Sequence, residues 1–224
     1  ATHYVTGIEW WAAEDWILTQ EVYFKRFHHI LELNDDGTLE SQADDFFTGN
    51  GYAYGFDVHL KKSGERLNGW LSYSYLHSER TVNNITYPPK YDRRHTFNAV
   101  LNIELGNNWQ SGLVFTFSSG SPYTPVLGKY DYYNMNANFT GYDRDVYNVV
   151  GPKNSERYPA YHRLDWSVRK TWNVRRTRIS PYLQIVNLYN RGNVFYYFWD
   201  HDSNPSTFKT INMFPFLPTL GVDV

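Results

Sequence analysis

Apolar and polar side chains alternate with a period of two along most of this chain, the mark of β-strands with two unlike faces. The cleanest run is His95 to Leu105, where Phe97, Ala99, Leu101, Ile103 and Leu105 share one face and Thr96, Asn98, Val100, Asn102 and Glu104 the other. Trp109 to Ser118 repeats it, with Trp109, Leu113, Phe115 and Phe117 opposed by Gln110, Gly112, Thr116 and Ser118. Gly106-Asn107-Asn108 joins these two runs as a tight turn. The same alternation recurs at Tyr52–Leu60, Arg163–Arg169, Ile179–Val186 and Phe216–Val224. The pattern predicts nine strands, over 3–12, 16–30, 51–62, 68–79, 94–105, 108–118, 161–172, 177–189 and 215–224. Most are longer than the about five or six residues of an ordinary globular strand and suit a tilted bilayer crossing.

The connections between these runs alternate in length. Ala13–Asp15, Ser63–Leu67, Gly106–Asn107 and Asn173–Arg176 are short, whereas 31–50, 80–93, 119–160 and 190–214 are long. In an up-and-down antiparallel sheet that rhythm places every long connection at one end. Outer-membrane barrels have this layout, with short periplasmic turns and long extracellular loops. The expected fold is therefore all-β, an antiparallel transmembrane β-barrel, with the last strand ending in the periplasm. A soluble β-sandwich has no reason to segregate its loops.

Composition fits both readings but excludes others. Aromatic residues make up 19% of the 224 positions, with 20 Tyr, 14 Phe and 8 Trp. Mean hydropathy is nevertheless −0.59. No segment approaches the roughly 20 apolar residues of a membrane-spanning helix. Basic and acidic residues nearly cancel, 21 against 23, which argues against nucleic acid as a partner. The absence of Cys removes disulfides, thiolate metal sites and cysteine nucleophiles. No basic and then apolar leader opens the chain. Nine strands is an odd number for a bacterial barrel, and such a sheet would carry two open edges, so the expectation is a segment of a longer barrel protein.

Candidate chemistry is sparse. Asp92, Arg93, Arg94 and His95 lie where a long connection enters a strand, and are expected to serve the membrane rim. Arg163, Asp165 and Arg169 share a strand face and are expected to form a paired ladder. His28 and His29 are neighbours on a strand, so their rings should point to opposite faces. Asp35-Asp36-Gly37 and Asp200-His201-Asp202 read as turn chemistry, and the Asn84-Ile85-Thr86 and Asn138-Phe139-Thr140 sequons carry no functional weight. With no nucleophile elbow, catalytic triad order or phosphate loop, no enzyme, cofactor or metal is expected.

The connection 119–160 is the candidate recognition element. It carries Tyr123, Tyr130, Tyr132, Tyr133, Tyr142, Tyr147 and Tyr158 with Asn134, Asn136, Asn138, Asp143, Arg144 and Asp145. Tyr and Asn together offer stacking surface and hydrogen bonds at low entropic cost. Tyr123, Tyr130, Tyr132, Tyr133, Asn134, Tyr142, Asp143 and Arg144 are the expected substrate contacts. Phe195-Tyr196-Tyr197-Phe198-Trp199 is expected to form a hairpin with 208–214.

Five segments carry a family resemblance: Tyr91-Asp92-Arg93-Arg94-His95, Gly120-Ser121-Pro122-Tyr123-Thr124-Pro125, Tyr161-His162-Arg163-Leu164-Asp165, Asn187-Leu188-Tyr189-Asn190-Arg191 and Phe214-Pro215-Phe216-Leu217-Pro218. In order and spacing they resemble the C-terminal barrel of TonB-dependent receptors, particularly the Bacteroidota type. That resemblance implies an outer-membrane transporter for a bulky nutrient such as a siderophore, glycan or peptide, with a barrel of about 22 strands around a plug. It also implies energy supplied by a TonB-ExbB-ExbD system through an N-terminal box, outer-membrane lipid as surroundings, and a surface lipoprotein as a candidate partner. On it, residues 1–224 are the last nine strands, without plug or box. The alternative is a secreted, aromatic-rich β-sandwich that binds carbohydrate.

Overall fold

The computed structural model describes residues 1–33, 46–135, 141–200 and 207–224. Asp35, Asp36, Gly37, Asn136, Asn138, Phe139, Thr140, His201 and Asp202 lie outside the described residues. The described secondary structure is entirely strand: β1 (Thr2–Ala13), β2 (Trp16–Leu33), β3 (Phe46–Ser63), β4 (Leu67–Val82), β5 (Ile85–Tyr87), β6 (His95–Gly106), β7 (Trp109–Ser118), β8 (Pro122–Tyr123), β9 (Val126–Met135), β10 (Tyr142–Val150), β11 (Glu156–Arg157), β12 (Tyr161–Lys170), β13 (Trp172–Val174), β14 (Thr177–Val186), β15 (Val194–Asp200), β16 (Thr207–Asn212) and β17 (Leu217–Asp223).

One large antiparallel sheet contains all nine predicted strands in chain order: β1, β2, β3, β4, β6, β7, β12, β14 and β17. β13 continues β12 in the same register, since Trp166 faces Ile185 and Trp172 faces Ile179 on β14. β2 and β3 each run 18 residues, further into the long connections than the alternation predicts. Because neighbours in sequence are neighbours in the sheet, the links 14–15, 64–66, 107–108 and 175–176 gather at one end. Every long link falls at the other.

Register carries the sequence pattern across the sheet. Leu18, Leu60, Leu71 and Ala99 stand side by side, continued by Phe115 and Leu164. One row on, Leu101 and Leu113 lead to Trp166 and Ile185. The opposite face runs from Glu21 through Asp57 and Ser74 to Thr96, and from Asn98 through Thr116 to Arg163. One face is therefore apolar along its whole width and the other polar.

Among the described residues nothing packs over the apolar face. Leu71, on a strand with neighbours on both sides, is still 44% exposed, and Phe24 41%. Among the described residues the only buried hydrophobic side chains are Ala53, Val82 and Tyr87, whereas Ser78, Asp92, Ser118, Asn154, Ser180, Asn187 and Asn193 are buried polar ones. The chain exposes 15750 Å² at 26.5 kDa, where a compact monomer of that mass exposes roughly 11,000 Å². Burial is inverted relative to a water-soluble domain.

Two departures from the sequence reading have local causes. A bulge between Phe27 and Ile30, with His29 at φ 57°, interrupts the β2 ladder, so simple alternation does not govern His28 and His29. The connection 119–160 is not structureless: β9 and β10 pair with each other, and β8 pairs with β11. The expected aromatic hairpin forms from β15 and β16.

The Asn107-Asn108 turn places two consecutive residues at φ 50° and 61°, and Asn83-Asn84 does the same at 49° and 61°. Both link strands through two residues, the geometry of a type I′ hairpin, where Asn tolerates the left-handed region. Asn108→Val is expected to cost roughly 1–2 kcal/mol and Asn108→Gly only a few tenths. Equilibrium urea unfolding of the two variants checks this; equal stabilities would contradict the turn assignment.

Candidate functional site

The long-connection end is organised by buried polar groups. Asp92, fully buried, accepts hydrogen bonds from the Ser78 backbone N–H at 2.8 Å and from Arg94 Nε at 2.9 Å, and pairs with Arg157 Nη2. The same Arg157 donates through Nη1 to the Asp92 carbonyl at 2.6 Å and to the Gly120 carbonyl at 3.1 Å. One carboxylate thus ties β4 and the entrance to β6 to β11. Gly120 is required for this closure, since a Cβ there would lie 1.6 Å from the Tyr158 carbonyl oxygen. The sequence reading placed Asp92 and Arg94 at the membrane rim; the structure buries Asp92 and gives both an internal partner. Arg93 reaches Ser118 Oγ at 3.3 Å, His95 meets Tyr73 at 2.8 Å, and Tyr91 accepts from Arg80 at 2.6 Å.

A second tie joins the far tip of β2 to the connection before β11. Glu32 accepts from Lys153 at 2.5 Å and from Tyr87 at 2.8 Å, with Arg80 at 3.5 Å. Asn154 donates to the Pro88 carbonyl at 2.8 Å, and its backbone N–H to Thr124 at 3.0 Å. A third knot closes the last long connection. Asn187, at φ 56° and fully buried, donates to the carbonyls of Arg191 and Phe214, accepts from the Arg191 N–H, and gives its own N–H to Asp165 at 2.8 Å. Asp165 also pairs with Arg163 at 2.9 Å. Arg169 pairs instead with Asp223 at 2.9 Å, so the expected ladder is two separate pairs.

Above these ties lies a cavity of about 340 Å³ lined by Lys90, Ser121, Pro122, Tyr123, Thr124, Val126, Tyr158, Tyr197, Trp199 and Phe208. It forms where the β8/β11 pair meets the β15/β16 hairpin. Tyr123 and Tyr158 lie with ring centroids 4.5 Å apart, and Tyr197 meets them at 5.4 and 5.0 Å. Phe208 closes the group, 4.6 Å from Tyr197 and 5.7 Å from Trp199. Burial, and then the neighbouring Tyr197, Glu156 and Tyr158, push the Tyr123 hydroxyl above the usual phenol range, keeping it neutral. Trp199 Nε1 is buried with no hydrogen-bond partner.

No protein-family model and no curated protein matches the chain. The site is therefore read from its geometry.

The expected contact residues divide between two places. Tyr123 belongs to the cavity, beside Tyr158, which was read as part of the same connection but not among the contacts. Tyr130, Tyr132, Tyr133, Asn134, Tyr142, Asp143 and Arg144 stand exposed on the β9/β10 hairpin, where Tyr130 and Tyr132 pack against Tyr147 and Arg144 pairs with Asp131 at 2.9 Å. Sequence reasoning missed Lys90, Ser121, Thr124, Tyr197, Trp199 and Phe208 as members of the same site. The available signal was the period of two that sets Tyr197 and Trp199 on one face of β15.

Asp92→Ala removes the acceptor of a buried N–H and the partner of two guanidiniums, and is expected to cost about 1–3 kcal/mol. Limited proteolysis is expected to cut faster within 119–160 while strand circular dichroism holds; unchanged cleavage would refute the clamp.

Proposed function

We propose that this chain forms part of the lipid-facing wall of an outer-membrane β-barrel, in a TonB-dependent transporter that takes up a bulky nutrient. The uncovered apolar face carries the reading. An apolar surface spanning nine strands in water would be an aggregation hazard, whereas facing lipid it is at rest. Strand length, the polar opposite face and the gathering of long connections at one end support the same placement. The outer sides of β1 and β17 have no partner among the described residues, which agrees with a wall continued by further strands of the parent protein.

The five sequence segments that resemble TonB-dependent receptors support the narrower assignment. All five supply the buried ties: Asp92 and Arg94 from one, the Gly120 carbonyl from another, Asn187 with Arg191 from a third, and its partners Asp165 and the Phe214 carbonyl from the remaining two. Energy coupling, the plug and any lipoprotein partner belong to the parent protein, as does transport itself. No catalytic step is assigned. The competing reading, a secreted carbohydrate-binding sandwich, calls for a second sheet laid over the apolar face. Here the other sheets have two strands each and arise within the long connections.

Leu101→Arg on the apolar face is expected to weaken folding into lipid by about 2–4 kcal/mol if Leu101 lies near the bilayer centre, whereas Asn98→Arg on the polar face is tolerated. The measurement is urea titration in vesicles, together with the heat-modifiable gel mobility of the parent protein in outer-membrane fractions. Equal tolerance of both changes, or recovery of the protein in the soluble fraction, would sink the membrane reading.

A further inference from the structure

We propose that the cavity between the β8/β11 pair and the β15/β16 hairpin binds a saccharide ring that carries a carboxylate. The inference rests on reading the long-connection end as the substrate-facing side, and it names the ligand class of that side.

The lining has three chemical parts. Tyr158, Tyr197 and Phe208 line it with aromatic rings, the kind of surface that the C–H face of a pyranose ring covers. Ser121, Thr124 and the tyrosine hydroxyls ring those faces with polar atoms. A purely hydrocarbon ligand would strip water from these groups and return no hydrogen bond, a cost of about 1–3 kcal/mol for each. A ligand with a flat face and hydroxyls at its edge meets both demands.

The charge of the lining decides the rest. Lys90 is its only ionised side chain, is solvent-exposed, and makes no ion pair among the described residues. Among the described residues no carboxylate lines the cavity, although Glu156 stands opposite Tyr123 in the β8/β11 register. Trp199 adds an indole N–H that is buried without an acceptor. The Lys90 ammonium is a donor and a positive charge, so the complementary ligand supplies acceptors and negative charge. For a cation, repulsion by Lys90 opposes whatever attraction the rings supply.

The test uses the full chain folded in detergent micelles, with a hexuronic acid disaccharide, the matching neutral hexose disaccharide and benzoate as probes. Titration calorimetry gives affinity, and tryptophan emission reports on Trp199. The hexuronate is expected to bind and shift the emission, the neutral disaccharide to bind about tenfold more weakly, and benzoate not at all. Lys90→Ala is expected to abolish the preference for the acid, and Tyr197→Ala to weaken both sugars about tenfold, with strand circular dichroism unchanged. Trp199→Phe is expected to remove the emission shift while calorimetric binding persists at reduced affinity.

Equal affinity for the two disaccharides would overturn the carboxylate, and binding of benzoate alone would overturn the saccharide. Failure of the folded chain to bind any probe would overturn the site. Binding by a protein that does not enter outer membranes would leave the site and remove the transport reading; membrane insertion without binding does the reverse.

Discussion

Main-chain hydrogen bonding between neighbouring strands is what this structure depends on. With three buried hydrophobic side chains among the described residues, there is no interior whose collapse could hold the strands in place. The ladder does that work instead, from β1 across to β17, with each strand next to its neighbours in sequence. Between its two edge strands such a sheet satisfies its backbone groups internally. Side chains are then free to follow their surroundings, apolar on one face and polar on the other.

Where the ladder ends, ionic and amide groups take over. Asp92, Glu32 and Asn187 each gather partners distant in sequence, and two of the three are fully buried. Burial of a carboxylate is tolerable only when its oxygens are matched by donors, and Asp92 has a backbone N–H and two guanidiniums. The specificity of the fold above the sheet thus lies in polar knots, the reverse of a globular protein in which apolar packing orders the loops. The aromatic cavity is built on that footing.

The nine long strands were legible because a sheet with two unlike faces imposes opposite residue types at a period of two, and over the ten positions from Thr96 to Leu105 only Val100 departs from it. The Asn107-Asn108 turn was equally open, since few residue types accept its dihedrals. The hairpin of β9 and β10 was not, because Tyr130, Asp131, Tyr132 and Tyr133 are amphipathic on both faces and leave no contrast to read. Nor could Asp92 be told from a rim charge: its partner Arg157 lies 65 positions away, and Glu32 and Lys153 are separated by 121. Of the cavity, Tyr123 and Tyr158 stood out as members of the aromatic connection 119–160. The rest required knowing that two hairpins from different connections meet.

The clamp at Arg157 and the close approach at Gly120 sit at the two feet of the same long connection. Among the described residues between them, β9 and β10 included, the links to the rest of the chain lie at those feet, at the Lys153 and Asn154 ties and where Tyr123 packs on Tyr197. Mutational drift in the projecting hairpin is thereby insulated from the sheet. Descendants of this chain could exchange residues 126–150 wholesale, altering length and surface chemistry, while inheriting an unchanged sheet beneath.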